Sequence, residues 1–300
     1  TPSAMASQLS RGRNNILGVI IPEIDNSFFS GIIKGINEVS ERKGYHVILC
    51  DSEEDVLREE KLIQTLKRQR VSGLLLTSAL KEYQDSAGYL QMINHLDVPV
   101  VLIDREIHGA DFDYVCFDDE KAICDLTTLL IQKGHRHIEM LAGNPDLILG
   151  QNRARGYMKA FALSKLPYRD EWMHYSLFTK EAGYDAMMRI LSRPQSKWPT
   201  SVVTNNNMLT LGALRAIFEK NLSIPKDISL AGYDRIEVLE YLRMNITLAE
   251  KDTVEMGRAA ADLITKRITS GPGSSPPQRI TMMPKLIARG SEQMVHHESG

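Results

Sequence analysis

The sequence predicts an α/β chain of two doubly wound lobes, each built on a parallel sheet. From Ile16 to Tyr233, short apolar runs alternate with stretches whose apolar residues recur every three to four positions. The runs are apolar throughout rather than alternating, as strands covered on both faces are. The βα succession occurs twice in 300 residues, a length suited to two domains of ordinary size.

Residues 16–22 form the first run, and Phe29, Ile32, Ile33, Ile36 and Val39 mark a helix that Asn26 or Ser27 can cap and Gly44 ends. Runs 45–50, 73–77 and 98–104 follow, with a helix through Leu62, Ile63 and Leu66 after the first. The second set has strands at 114–117, 137–142, 175–178, 201–204 and 228–233. Its helices run through Ile123–Leu130, then over 153–163, 181–191 and 208–218. The tail reads as a crossing strand at 246–249, a long helix at 252–270, a Gly/Pro/Ser linker at 271–277 and a strand at 280–289. The expected organisation is residues 1–13 as a linker, 14–117 with 250–278 as one lobe, 118–249 with 279–292 as the other, and 293–300 as a polar tail.

Thirty-six Lys and Arg against thirty-eight Asp and Glu give a net charge of −2, which excludes a strongly basic nucleic-acid binder in these residues. No apolar run has membrane-spanning length. Cys50, Cys116 and Cys124 lack the spacing of a disulfide framework or a zinc site, and no secretory leader opens the sequence, so a cytoplasmic location is expected. Thr1 in place of an initiator methionine points to a chain processed or cut from a longer one. No nucleophile elbow, Walker loop, dinucleotide fingerprint or zinc-protease motif is present, so neither an enzyme, a cofactor nor a metal is expected. His135 and His137 read as structural residues, and residues 52–55 (Ser-Glu-Glu-Asp) as the acidic start of the second helix.

In such folds ligands bind beyond the carboxyl ends of the strands, and two lobes can close on one. Residues 25–29, Asp51, Thr77, Asp104, Arg105, Arg153, Phe178, Asn206, Asn207 and Asp234 stand at those ends. Aromatic faces beside carboxylates, amides and an arginine suit a sugar, whose ring has apolar C–H faces and a rim of hydroxyls.

At these same positions the sequence resembles the LacI/GalR family of bacterial transcriptional regulators, over nearly its whole length. The resemblance is carried by Gly18-Val-Ile-Ile-Pro22, Asp25-Asn-Ser-Phe-Phe29, Arg70-Val-Ser-Gly73, residues 98–105, Val115-Cys-Phe-Asp-Asp119, Gly134-His-Arg-His-Ile138, Arg153-Ala-Arg-Gly-Tyr157, Leu230-Ala-Gly-Tyr-Asp234, Met256-Gly-Arg-Ala-Ala260 and residues 284–289. It implies a type I periplasmic-binding-protein-like fold. It also implies the effector-binding and dimerisation core of a DNA-binding regulator, a repressor first of all, governed by a sugar or sugar phosphate. The alternative is a sugar-binding protein of a transport system.

Residues 2–9 are similar to the family's hinge helix, with Ala6 and Leu9 implied as DNA-facing and Leu9 as the minor-groove wedge; Ser3 and Ser7 depart from the pattern. Operator DNA would then be read by a helix-turn-helix domain upstream of Thr1, and the working form would be a homodimer. By the same resemblance Arg153 grips effector hydroxyls or a carboxylate, and Asp234 and Asp104 with Arg105 line the cleft. Phe178 and Asn206 contribute from the second lobe, Asn207 standing where the family usually has Asp. Phe28 is expected to face the ligand and Phe29 to pack partly inward; Thr77 and Asp51 complete the set. Arg153→Ala is expected to lose effector binding with the fold intact.

Overall fold

A computed structural model describes residues 14–82, 84, 86–271 and 275–294. Ala6 and Leu9, the hinge-like residues, lie outside the described residues. The chain divides into two compact units, residues 1–117 with 252–282 and residues 118–251 with 283–300.

Unit 1 begins with β1 (Ile16–Ile21), α1 (Ser27–Arg42), β2 (His46–Asp51), α2 (Val56–Arg68), β3 (Gly73–Leu76), α3 (Ser86–Asn94), β4 (Val100–Ile103) and β5 (Asp113–Phe117). Unit 2 continues with α4 (Asp119–Gln132), β6 (Ile138–Gly143), α5 (Ile148–Leu163), β7 (Met173–Tyr175), α6 (Lys180–Leu191), β8 (Ser201–Thr204), α7 (Asn207–Glu219), β9 (Ser229–Tyr233), α8 (Glu237–Tyr241) and β10 (Thr247–Glu250). The chain then returns to unit 1 for α9 (Thr253–Ser270) and β11 (Arg279–Met282), and ends in unit 2 with β12 (Lys285–Ile287).

The unit 1 sheet has the order β11-β5-β4-β3-β1-β2, parallel throughout. The unit 2 sheet runs β12-β10-β9-β8-β6-β7 and is parallel except for β12 against β10. The period of two along each strand explains why both faces are apolar. Leu17, Val19 and Ile21 of β1 pack under α1 and α9, whereas Ile20 turns to the other face with Ile63 of α2 and Ile93 of α3. In unit 2, Met140 and Val203 face Tyr157 and Phe161 of α5, while Leu141 and Val202 face Ile190 of α6 and Ile217 of α7. The expected fold class agrees with this architecture.

Several boundaries differ from expectation. The tail strand expected over 280–289 is two strands in different sheets. Residues 279–282 pair with β5 in unit 1, and Met283-Pro284 carries the chain to unit 2, since Pro284 has no N–H for a ladder. The boundary expected between 278 and 279 therefore falls after Met282, and Glu250 and Lys251 belong to unit 2. Helix α3 escaped the sequence reading because only Tyr89 and Ile93 of its nine residues are buried, too few for a clear period. Strand β7 lies at 173–175 instead of 175–178, where Phe178 packs against the unit 2 core. Helix α5 starts at Ile148, so Arg153 sits in its second turn and does not open it.

Candidate functional site

The carboxyl ends of the unit 2 strands gather a buried polar cluster around Arg153. Its Nε stands 3.2 Å from Asp119 Oδ2, and its guanidinium donates to the Asn205 carbonyl at 2.9 Å. The same guanidinium lies over the Tyr233 ring, 4.7 Å from its centroid, and 5.7 Å from that of Phe178. Lys251 Nζ reaches Asp119 Oδ1 at 3.4 Å and Asp234 Oδ1 at 3.5 Å, and lies 4.5 Å from the Tyr233 centroid. The Tyr233 hydroxyl donates to Asp119. Burial alone would raise the Asp119 carboxyl; Arg153 and Lys251 outweigh it and hold the group below the usual carboxylate range.

Local folding places each of these groups. Asp119 opens α4 just after Asp118 caps it through Lys121 N. Asp234 follows β9 in the left-handed region, φ 72°, and its N–H donates to the Ala249 carbonyl of β10. Asn206 caps α7, accepting from Leu209 N at 2.8 Å, and its amide donates to the Phe178 carbonyl at 3.5 Å. Gly143 has φ 77°, and a Cβ there would meet the Phe178 ring at 2.1 Å, so the ring position needs a glycine. Of the expected residues, Arg153, Asp234 and Phe178 thus meet in one network, with Asn206 at its border.

Unit 1 repeats the backbone device. Asp104 follows β4 with φ 63°, and its N–H donates to Val115 of β5, as Asp234 does one unit later. An arginine follows each: Arg105 in unit 1 and Arg235 in unit 2. Arg105 is buried and held by Glu54 through two hydrogen bonds, 2.6 and 2.8 Å, while also donating to the Ser78 carbonyl. Beside it Glu59, fully buried on α2, accepts from Ser78 Oγ, Ala79 N and the Tyr89 hydroxyl.

Thr77 is buried at the end of β3, its N–H bonded to Ile20. Asp51 braces loops, its two oxygens accepting from Ile24 N and Glu53 N. Phe28 and Phe29 both lie in the unit 1 core, edge to face with centroids 5.1 Å apart. The expected division, Phe28 outward and Phe29 inward, is therefore replaced by burial of both, because the first turn of α1 lies directly on the sheet.

Sequence reasoning missed Asp119, Tyr233, Lys251 and Asn205 in unit 2, and Glu54, Glu59, Ser78 and Tyr89 in unit 1. Glu59 had a signal: it shares a helical face with Ile63 and Leu66. Lys251 had a weaker one, standing between a buried strand and the helix-capping Asp252. Residues 52–55 divide their roles: Asp55 caps α2, Glu53 pairs with Arg58 and Glu54 holds Arg105. His135 bridges Thr200 and the Glu292 carbonyl, and His137 pairs with buried Glu139, so both serve the fold of unit 2. Among the described residues no group of three or more His, Cys, Asp or Glu could hold a metal ion, and no helix is long and apolar enough to cross a membrane.

Glu59 gives a testable pH dependence. Burial raises its carboxyl from 4.5 to about 6, against the pull of its hydrogen bonds and Arg105. The native state then keeps the proton to higher pH than the unfolded chain. Stability accordingly falls as pH rises from about 4.5 through 6, by roughly 2 kcal/mol once the group is ionised in both states. Glu59→Gln, which cannot ionise, is expected to lose this slope. Urea unfolding at several pH values from 4 to 7 checks it, and equal slopes in both proteins would contradict the assignment.

Two α/β units, each presenting buried charged and amide side chains at the carboxyl ends of parallel strands, define a ligand-binding protein of the two-domain type. Residues 14–289 match the family described as periplasmic binding proteins and sugar binding domain of LacI family. The ribose operon repressor of Escherichia coli (strain K12) is 31% identical over 291 residues, spanning 97% of this chain and 86% of the repressor. The solved complex of the transcriptional regulator CelR with cellobiose superposes with a TM-score of 0.82 at 26% identity, covering 96% of this chain and 89% of that one. A LacI family transcriptional regulator from Enterococcus faecium, with bound ribose, gives 0.81 at 25% identity, covering 94% and 100%. The chain belongs to this family, as the ligand-binding core of a LacI-family transcriptional regulator and not as an enzyme.

Proposed function

We propose that this core binds a carbohydrate effector through the carboxyl-end residues of both units and transmits its occupancy to operator DNA as a repressor. The Arg153–Asp119–Lys251–Asp234 network beside Tyr233 and Phe178 carries this reading. An arginine fork held by a carboxylate and an amide carbonyl keeps one orientation, so its remaining donor capacity is fixed in space before a ligand arrives. Aromatic rings beside it supply faces for the C–H side of a sugar ring. The ribose operon repressor and the cellobiose and ribose complexes support the same ligand class.

Arg153, Asp234, Phe178 and Asn206 are the proposed contacts in unit 2, with Asp104, Arg105 and Thr77 in unit 1. Phe28 and Phe29 support the site from the core, and Asp51 does so from the loops. The working form is a cytoplasmic homodimer. By linkage, DNA must change effector affinity by the factor by which effector changes DNA affinity. A thermal-shift screen of pentoses, hexoses and disaccharides tests the reading. At least one carbohydrate is expected to raise the melting temperature with a saturable dose dependence. Stabilisation by no carbohydrate, with a different compound class stabilising instead, would overturn it.

A further inference from the structure

We infer that the effector is an uncharged polyhydroxyl compound, a free sugar and not its phosphate ester. The inference rests on the proposed ligand-binding role of these carboxyl ends and adds the charge of what they accept.

Recognition of a phosphate or carboxylate needs cationic or N–H donors that are not already neutralised. Three Arg or Lys side chains are buried among the described residues: Arg105, Arg153 and Lys251. All three stand at the carboxyl ends, and each is paired. Arg105 is gripped by both oxygens of Glu54, Arg153 faces Asp119, and Lys251 lies between Asp119 and Asp234. In unit 2 the two cations and two carboxylates cancel. In unit 1, Asp104 and Glu59 add their charge to that of Glu54 around the one Arg105, which leaves that end negative. The helix starts give no relief, since Asn26, Asp55, Asp118, Thr179 and Asn206 already cap α1, α2, α4, α6 and α7, and two of those caps are carboxylates.

The uncharged groups point the same way. Asn205 is fully buried, and its amide nitrogen donates to the Ala142 carbonyl, which fixes its Oδ1 as the exposed end of the amide dipole. That oxygen is buried without a hydrogen-bond partner. An orphaned acceptor is satisfied by a ligand O–H and opposed by a phosphate oxygen.

Calorimetry with matched pairs tests this: D-ribose and its 5-phosphate, D-glucose and its 6-phosphate, adenosine and its 5′-monophosphate. The free member of a pair is expected to bind, and to bind about 100-fold or more tightly than its ester. An ester that binds as tightly as its parent, or tighter, overturns the inference. Binding of adenosine but of neither sugar would sink the carbohydrate reading and leave the charge inference standing. Glu54→Gln gives an independent arm with inorganic phosphate as the probe, because it frees Arg105. The parent protein is expected to show no phosphate-dependent rise in melting temperature and the variant a saturable one. A rise in the parent, or none in the variant at unchanged fold by circular dichroism, overturns it.

Discussion

Arg153→Ala is expected to abolish effector binding and also to lower the stability of unit 2 by about 3 kcal/mol. The second effect follows from burial. Arg153 is 4% exposed at its side chain and holds Asp119, which is 6% exposed, so removing it takes one of two cations from a buried carboxylate. Lys251 remains 3.4 Å from the other oxygen, which keeps Asp119 from being stranded and places the loss at the lower end for a broken buried pair. The expectation that the fold is untouched is thus revised: binding and stability share this side chain.

Arg153→Lys separates the two. It keeps a cation beside Asp119 but loses the planar fork that reaches the Asn205 carbonyl, so stability should largely return. Affinity should stay about 100-fold down. Calorimetric titration alongside thermal melts of the three proteins checks both. Wild-type affinity in Arg153→Lys would remove the arginine from the site.

Gly257→Ala is expected to destabilise unit 1 by about 3 kcal/mol, although alanine favours a helix over glycine by about 1 kcal/mol. Helices α1 and α9 touch at their backbones. A Cβ on Gly257 would lie 2.0 Å from the Ile32 carbonyl oxygen, and one on Gly35 would lie 2.0 Å from that of Val254. Backbone cannot rotate aside as a side chain can, so the helices must part along the contact that roofs the β1, β3 and β5 core residues. Gly35→Ala acts on the same contact, and the double variant is expected to lose less than the two singles added together. Urea midpoints measure all three. A Gly257→Ala protein at least as stable as its parent would show that the helices have room to move.

The fold was readable wherever burial on both faces of a strand left an unbroken apolar run, as in Leu74–Leu76 and Val100–Ile103. It was unreadable where few residues are buried, as in α3, or where a proline divides one apolar pattern between two sheets, as at Pro284. The site divides in the same way. Arg153 and Asp234 could be placed because each sits at a recognisable end of an element within a family-like segment. Their partners Asp119 and Lys251 could not, because pairing between residues 119, 153, 234 and 251 depends on which strand lies beside which, and one chain read in order does not show that. The helical position of Glu59 could have been read, but its meaning could not: a charged residue on an apolar face signals burial without naming Ser78 and Tyr89 as the groups that make burial tolerable.

The three passages of the chain between units set an order of events during synthesis. Residues 14–117 emerge first, yet their sheet lacks β11 and one of its faces lacks α9 until residues 118–251 have been made. Unit 2, interrupted only by that excursion, is nearly complete by Lys251 and wants just its edge strand β12. The half that begins translation is thus the half that finishes folding later, holding Leu17, Val19 and Ile32 without their α9 cover in the interval. A growing chain stalled before residue 253 should therefore expose unit 1 to chaperones and proteases while unit 2 is already closing.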